Sequence, residues 1–230
     1  MRYLVVTGTD TGVGKTIVTA ALAALAQDRG RRVAVVKSVQ TGVAPDEPGD
    51  LEEVRRLSGV DDLHELARFS DPLAPATAAR RANVDPPSVQ QLADAIVGLA
   101  DRELVLIEGA GGLLVHLDLE GGTLADLAAR LRAPTIVVAR AGLGTLNASA
   151  LTCEALYARA VHCLGLVIGA WPAEPDLAAT CNLDDLPAYT GRPLLGRLPE
   201  GAARLGRAGF LEAGRAGLDP VLIGEPSTMR

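Results

Sequence analysis

A glycine-rich stretch near the N-terminus contains the residues best suited to chemistry. It spans residues 8–16 and reads GTDTGVGKT, with an apolar β-branched run before it and an Ala- and Leu-rich run after it. A strand, a glycine-rich turn and a helix, with Gly-Lys-Thr at the end of the turn, form a phosphate-binding P-loop. Gly12 and Gly14 allow positive φ, so backbone N–H groups can approach phosphate oxygens. Lys15 can reach the β- and γ-phosphates, and the Thr16 hydroxyl can bind Mg²⁺.

The spacing of this P-loop departs from the common pattern by one residue. The common pattern would place glycine at position 9, where this chain has Thr9, and Gly8 lies one residue further back. An ordinary strand-to-helix turn would explain the glycines, but not Gly-Lys-Thr between a strand and a helix. The sequence therefore predicts that this turn binds phosphate, assisted by the N–H groups of the helix that begins near Lys15.

Lysine is almost absent from the chain. Of 22 basic residues 20 are arginine, and the two lysines are Lys15 and Lys37. Because a planar guanidinium cannot replace a compact, rotatable ammonium, the remaining lysines indicate positions that need a point charge. Lys37 ends the second apolar run, residues 33–36. Ligands of open α/β sheets gather at the carboxyl ends of the strands, so we expect both lysines to face one site. Chance survival of two lysines would not explain their placement.

Three further residues are candidates for the same site. Glu108 ends the apolar run 104–107 and precedes Gly-Ala-Gly-Gly. In P-loop proteins an acid at the end of a neighbouring strand helps to hold magnesium, which we favour here over a salt-bridged structural acid. Asp50 is either a further magnesium ligand or the N-cap of a short helix, and the residues alone leave this open. Thr41 is either a turn residue or a hydroxyl donor close to Lys37.

A second glycine-rich turn, Gly142–Asn147, precedes another helical segment. A helix start of this kind can hold an anion. A plain Gly-Thr cap explains the same residues, and the turn alone favours that simpler interpretation.

The remaining pattern predicts an α/β fold: one P-loop-containing domain over residues 1–230, with a mostly parallel central sheet flanked by helices. The predicted strands are 3–6, 32–37, 104–107, 135–139, 164–168 and 193–198. The predicted helices are 17–27, 50–57, 89–99, 124–131, 146–158 and 177–186. Residues 61–85 are predicted to be irregular, with one or two helical turns after Pro75. The tail from Gly201 has too many glycines for one good helix.

Composition excludes several classes of function. A net charge of −6 and an aromatic content of 3%, without a basic patch, argue against nucleic-acid binding. The three cysteines lack a metal or redox spacing, and the three histidines stand alone. No run of 18 apolar residues occurs, and the N-terminus begins with a strand rather than a signal peptide. We therefore expect a soluble cytoplasmic protein without nucleic-acid or membrane partners.

Four stretches, taken in order, resemble the dethiobiotin synthetase family. They are GTDTGVGKT at 8–16, KSVQTG at 37–42, EGAGGL at 108–113, and GTLN at 144–147 followed by Leu151-Thr152. The resemblance reaches to about residue 170 and includes the modified P-loop spacing. It implies a P-loop enzyme of biotin synthesis that uses ATP and Mg²⁺. In this reaction 7,8-diaminopelargonic acid takes up CO₂ or bicarbonate as an N7 carbamate. The γ-phosphate activates the carbamate as a carbamic-phosphoric anhydride, and the neighbouring amine closes a cyclic urea.

The resemblance also implies roles for individual residues. Lys15, Lys37 and Thr16 would be catalytic, and Thr16, Asp50 and Glu108 would hold magnesium. The nucleotide would contact Thr11, Gly12, Val13, Gly14, Lys15, Thr16, Ile17, Asp50, Glu108, Gly111, Gly169, Ala170, Pro199, Glu200 and Gly201. The diamine would contact Thr11, Lys37, Thr41, Glu108, Gly111, Leu143, Gly144, Leu146 and Asn147. Of these, Gly144, Leu146 and Asn147 would reach the substrate's carboxylate from the other subunit of a homodimer.

Two positions depart from the family's pattern. The family often has an acidic residue where this chain has Gly12. The strand that ends near residue 169 normally finishes with an asparagine that reads the nucleotide base, whereas this chain has Gly169 followed by Ala170. Because a buried polar group is what rejects a wrong base most strongly, we expect relaxed selectivity. ATP should work, and CTP or another triphosphate should work comparably or bind more tightly.

Two other classes share parts of this pattern. Switch ATPases of the chromosome-partitioning and division-site-selection kind have a signature lysine five positions before the P-loop lysine, where this chain has Asp10. Their membrane-binding members end in a basic amphipathic helix, which the glycine-interrupted tail does not supply. A cobyrinic-acid-type amide synthetase would need a glutaminase domain, for which 230 residues leave no room.

Overall fold

Parallel strands form the centre of the molecule. The computed structural model describes residues 2–99 and 101–225. The strands are β1 (Tyr3–Gly8), β2 (Val33–Lys37), β3 (Gln40–Thr41), β4 (Leu63–Glu65), β5 (Arg68–Phe69), β6 (Leu104–Glu108), β7 (Thr135–Ala139), β8 (Cys163–Trp171) and β9 (Leu194–Pro199). Seven of them make one sheet in the order β4-β2-β6-β1-β7-β8-β9, in which every neighbouring pair is parallel. The short strands β3 and β5 pair separately.

Helices cover both faces of this sheet. They are α1 (Lys15–Asp28), α2 (Asp50–Ser58), α3 (Pro75–Ala82), α4 (Val89–Val97), α5 (Leu124–Leu131), α6 (Thr145–Ala158), α7 (Leu177–Thr190) and α8 (Arg207–Gly217), with 3₁₀ turns at Ala202–Arg204 and Pro220–Ile223. The predicted α/β fold with a mostly parallel sheet is therefore confirmed. Within the described part of the chain, no helix is long and apolar enough to cross a membrane.

Two hydrophobic cores explain why the central strands are apolar throughout. Alternate side chains of β1 point to opposite faces: Val5 joins one core, and Leu4 and Val6 join the other. The first core lies beneath α3 to α7 and the second beneath α1, α2 and α8. A parallel strand buried on both faces reads as a continuous apolar run, which is why the sequence indicates these strands clearly.

The strand order brings the candidate residues together. β2, β6 and β1 are neighbours, and Glu108 at the end of β6 is in register with Lys37 on one side and with Val6 on the other. The P-loop follows β1 directly. The carboxyl ends of these three strands therefore place the phosphate-binding turn, a lysine and a glutamate at one edge of the sheet.

Residues 61–85 are more ordered than the sequence indicates. Part of this segment pairs with β2 as the edge strand β4, and another part pairs with β3 as β5. The helical turns expected after Pro75 are confirmed as α3. Strands of two or three residues are too short to show a periodic pattern in the sequence. They can be recognised only from their hydrogen-bonded pairing with other strands in the structure.

The prediction that the glycine-rich tail forms no good helix is wrong. Residues 207–217 form α8, which packs against α1 and α2. Phe210 is fully buried, and a Cβ at Gly214 would lie 3.5 Å from Leu25 Cγ. Each helical glycine costs about 1 kcal/mol relative to alanine, and α8 has three, Gly209, Gly214 and Gly217. Burying Phe210 contributes about 1.5–3 kcal/mol, so the burial of Phe210 together with the packing of α8 against α1 and α2 offsets the weak helix propensity of this segment.

Candidate active site

The P-loop has the backbone that its glycines predict. Gly12 and Gly14 have φ angles of 73° and 95°, both in the left-handed region. Gly14 is the N-cap of α1 and supplies no side-chain cap, so the first N–H groups of the helix are left for a ligand. Val13 is buried, and a Cβ at Gly8 would lie 2.6 Å from Val13 Cγ2. Gly8, although displaced by one position, is thus needed where the loop folds back on itself.

Lys15 is buried and bonded within the loop. Its Nζ donates to the carbonyl oxygen of Asp10 at 2.9 Å, and only 7% of the residue is exposed. Burial, followed by the nearby charge of Lys37, lowers the pKa of Lys15 below its usual value. A phosphate oxygen would give this ammonium a charged acceptor in place of a neutral carbonyl, and charge-assisted hydrogen bonds are roughly twice as strong.

Lys37 lies at the centre of a buried ionic cluster. Its Nζ pairs with the carboxylate of Asp50, donates to Glu108 Oε1 at 2.8 Å, and donates to the carbonyl oxygen of Gly109 at 3.1 Å. Thr16 Oγ1 donates to the same Oε1 of Glu108, also at 2.8 Å. Burial would lower the pKa of Lys37, but the charges of Glu108 and Asp50 outweigh it and raise that pKa. Lys37 is therefore a fixed positive charge, linked through Glu108 to the P-loop threonine.

The structure excludes one of the two interpretations of Asp50. Gly49 is the N-cap of α2 and Asp50 is the first residue of the helix, so the N-cap interpretation is wrong. The carboxylate of Asp50 points to Lys37 instead of back to the helix. Its own backbone N–H donates to Gln40 Oε1 at 2.9 Å. Magnesium binding by Asp50 stays a prediction that this placement permits.

One cleft of about 740 Å³ contains the P-loop and the ionic cluster. The predicted site residues that line it are Thr11, Gly12, Gly14, Lys15, Thr16, Ile17, Lys37, Thr41, Asp50, Glu108 and Gly111. The expectation that both lysines face one site is thus met. The cleft is also lined by residues without a predicted role: Val39, Gln40, Pro72, Leu73, Ala74, Pro75, Ala110 and Val115. The sequence gives no sign that residues 72–75 line the cleft, because they lie in the segment predicted to be irregular. Gln40 lies within the KSVQTG motif at 37–42, so the sequence does offer a signal for its place in the site.

The other predicted site residues lie outside this cleft. Gly169 is buried behind the P-loop, whereas Ala170, Pro199, Glu200 and Gly201 are exposed at the carboxyl ends of β8 and β9. The loop before α6 is also separate: Gly144 has a φ of 90°, Asn147 is exposed, and Leu143 is 92% exposed. Leu146 is half-buried. The exposed residues thus form two further surfaces, one at the ends of β8 and β9 and one at the start of α6. Neither surface belongs to the cleft that contains Lys37.

Gly169 supports the P-loop directly. Strand β8 continues beyond it to Trp171, so the predicted strand 164–168 ends too early. A Cβ at Gly169 would lie 2.0 Å from the carbonyl oxygen of Val13 and 3.1 Å from Gly14 Cα. No side chain fits between this strand and the P-loop backbone. Any side chain at residue 169 would force this strand or the P-loop to move.

The residues in the cleft suit magnesium. Within residues 2–99 and 101–225 no group of three or more His, Cys, Asp or Glu side chains could hold a metal alone. Mg²⁺ in phosphate-transfer sites usually takes only one or two carboxylates, with water and substrate phosphates completing the shell. Thr16, Asp50 and Glu108 supply a hydroxyl and two carboxylates around Lys37, beside the P-loop. This donor set fits an ion that is held partly by bound phosphates.

Comparison with known proteins distinguishes the classes that share this fold. A family described as "AAA domain" matches residues 2–203. The ATP-dependent dethiobiotin synthetase BioD of Saccharopolyspora erythraea is 62% identical over 226 residues, which cover 97% of this chain and 98% of that protein. BioD of Frankia casuarinae is 60% identical and covers 97% of this chain and 94% of its own length. The chain belongs to the dethiobiotin synthetase family. This confirms the resemblance drawn from the four motifs.

Solved structures show how widely the fold is shared beyond the dethiobiotin synthetase family. The cell division ATPase MinD of Pyrococcus furiosus superposes with a TM-score of 0.58 at 22% identity, covering 92% of this chain and 88% of MinD. A MinC:MinD complex from Aquifex aeolicus gives 0.61 at 11% identity, covering 100% of this chain and 98% of the matched chain. Identities this low show the fold alone and do not favour a switch ATPase.

Proposed function

We propose that this chain uses ATP to carboxylate 7,8-diaminopelargonic acid and to close the product into dethiobiotin, a step of biotin synthesis. Membership of the dethiobiotin synthetase family supports this proposal. The structural observation that carries it is the position of Lys37. A second buried ammonium lies beside the P-loop, in the same cleft as Lys15, where a carbamate can meet the γ-phosphate.

The geometry fits phosphoryl transfer to a carbamate. The P-loop N–H groups and Lys15 hold the phosphates, and Lys37 neutralises the carbamate oxygens. A carbamate oxygen then attacks the γ-phosphorus, and the bond to the departing nucleoside diphosphate breaks. The neighbouring amine attacks the carbamate carbon, loses a proton and expels phosphate. Positioning and fixed charge carry most of such a reaction. Magnesium held by Thr16, Asp50 and Glu108 would neutralise phosphate charge.

Other residues of the same cleft suit the diamine. Thr41 offers a hydroxyl, Gly111 an accessible backbone, and Leu73 and Val115 an apolar surface for the carbon chain. Glu108 offers negative charge to the amines. We place the carboxylate of the substrate outside this cleft, at the start of a partner subunit's α6.

Phosphate release with each substrate omitted in turn tests the proposal. With ATP and Mg²⁺ present, we expect release that requires both the diamine and bicarbonate. A switch ATPase would release phosphate without the diamine. It would also use the signature lysine, whose position is filled here by Asp10, a residue paired with Arg140 at 3.2 Å.

Glu108→Gln is expected to weaken magnesium-dependent turnover much more than binding of the free diamine. The change keeps the shape of the side chain but removes a negative charge next to Thr16 and Lys37. Magnesium titrations of turnover, compared with calorimetric binding of the diamine alone, measure both effects. A variant that keeps the parent's rate and magnesium requirement would show that Glu108 is structural.

We expect a homodimer whose site is completed by the loop before α6. Gly144, the N-cap of this 14-residue helix, has no side chain, so the first N–H groups can bind a carboxylate. Such an interaction contributes about 0.3–1 kcal/mol, and more where it is partly buried. Leu143, 92% exposed here, would be covered by the partner. Analytical ultracentrifugation with activity measured at the same concentration tests this, since a fully active monomer contradicts it.

Base selectivity is expected to be low. Gly169 has no side chain to read the base and no room for one, so the base edge meets backbone near Ala170 and the exposed turn Pro199–Gly201. We expect CTP to compete with ATP at comparable or higher affinity. Competition binding with ATP, GTP, CTP and UTP measures this, and a strong exclusive preference for ATP would contradict it.

A further inference from the structure

Gln40 lines the cleft beside the ionic cluster. It is 3% exposed, and its contact with the cluster is to the backbone of Asp50 and not to a charged group. Its Oε1 accepts the backbone N–H of Asp50 at 2.9 Å, and its Nε2 donates to the carbonyl oxygen of Thr41 at 3.1 Å. One amide thus joins the residue proposed to hold magnesium to the residue proposed to contact the diamine.

Arg68 holds the loop that connects β3 to α2. In the pairing of β3 with β5, Gln40 lies opposite Arg68. Arg68 holds Glu65 through two hydrogen bonds and donates to the carbonyl oxygens of Ala44 and Glu47 at 2.8 and 2.7 Å. Gln40 and Arg68 together fix the course of the chain into α2.

The fit at the start of α2 is tight. A Cβ at Gly49 would lie 2.9 Å from Gln40 Oε1 and 3.0 Å from Arg68 Nη2. Asp50 follows at once, and its carboxylate reaches Lys37. Because α2 has no side-chain N-cap, Gln40 supplies the acceptor for this first N–H from another part of the chain. The position of the Asp50 carboxylate therefore depends on the Gln40 amide.

We propose that Gln40 is a positioning residue that holds the start of α2 so that the carboxylate of Asp50 can help to bind magnesium. The proposal rests on the proposed function for the identity of the ligands. Glutamine suits the task because the two bonds need one acceptor and one donor on a single planar group. Glutamate keeps only the acceptor for Asp50, and methionine has a similar length but supplies neither bond.

Gln91 provides a matched control. Its Oε1 also accepts a backbone N–H at the start of a helix, that of Ser88 at 2.9 Å. Gln91 is exposed and lies on α4, outside the cleft. Gln91→Met therefore repeats the chemical change of Gln40→Met at a helix that does not touch the site.

The test measures how much magnesium is needed for ADP to raise the unfolding temperature, a readout that requires no turnover. Methionine offers no acceptor to the backbone N–H of Asp50, so the start of α2 and the Asp50 carboxylate are no longer held in place. We expect Gln40→Met to raise the half-saturating magnesium concentration about tenfold, with ADP binding in the absence of magnesium unchanged. Gln40→Glu should stay near the parent, and Gln91→Met should not differ from it.

Either of two results overturns the proposal: a parental magnesium requirement in Gln40→Met, or an equal defect in Gln40→Glu. If Gln40→Met fails to fold, Gln40→Asn decides, because its amide is one methylene shorter, cannot reach the backbone N–H of Asp50 and should show the same defect. Diamine-dependent phosphate release by the parent is measured alongside. If the parent shows no diamine-dependent phosphate release, the proposed function is wrong. The magnesium comparison would still decide the role of Gln40.

Discussion

Lys37→Arg should lower the rate of diamine-dependent phosphate release by about a hundredfold or more, the scale of losing a preorganised charge contact in a transition state. Lys37 is 4% exposed, and its Nζ contacts Asp50, Glu108 and the carbonyl oxygen of Gly109. A guanidinium keeps the charge, but it is planar, larger and unable to place that charge at the same point. Steady-state rates, together with the unfolding temperature, separate a chemical effect from a folding effect.

The control for this substitution is the reverse exchange at an exposed pair. Arg215 is exposed and pairs with Asp28 and Glu212, none of which lines the cleft, so Arg215→Lys should leave turnover unchanged. Near-normal turnover in Lys37→Arg would show that Lys37 does not act at the reacting centre. A large fall in unfolding temperature would indicate that its main role is structural.

Gly169→Ala should weaken binding of every nucleoside triphosphate tested, by about tenfold to a hundredfold. The new methyl group would lie 2.0 Å from the carbonyl oxygen of Val13 and 2.8 Å from Val138 Cγ1, so the P-loop or β8 must move. Overpacking of this kind typically costs about 1–3 kcal/mol. Because the loop holds the phosphates, the loss should not depend on the base.

Calorimetric titration with ATP and with CTP measures the effect of Gly169→Ala. Gly206→Ala is the control, since a Cβ there meets no atom within 4 Å and the φ of Gly206 is −72°. Parental affinity in Gly169→Ala would mean that the strand does not support the loop. A loss confined to one base would mean that residue 169 acts on the base itself.

The parts of the site that the sequence predicts are those fixed by local pattern. Lys15 and Thr16 follow from a strand, a turn and a helix that are continuous in the chain. Lys37 and Glu108 follow because continuous apolar runs mark buried parallel strands, and such strands present their ends at one edge. The neighbouring order of β2, β6 and β1 then places these residues within hydrogen-bonding distance.

The parts that the sequence does not predict depend on contacts between distant segments. In the sequence, Asp50 fits a helix N-cap as well as a magnesium ligand. Its contact with Lys37 depends on the fold of the loop between the two residues, which no local pattern indicates. The role of Gly169 is invisible locally, since its close neighbour is the backbone of Val13. The same reason applies to α8, where burial of Phe210 overrides a glycine-rich sequence.

The fate of a carbamate oxygen tests the central claim most directly. In the proposed reaction the oxygen that attacks the γ-phosphorus comes from CO₂, and ring closure leaves that oxygen on phosphate. The protein should therefore be given the diamine, ATP, Mg²⁺ and freshly dissolved C¹⁸O₂, and the released phosphate analysed by mass spectrometry. We expect one heavy oxygen in phosphate formed together with dethiobiotin. Phosphate whose new oxygen comes only from water would show that the two lysines serve nucleotide hydrolysis, and would contradict the account.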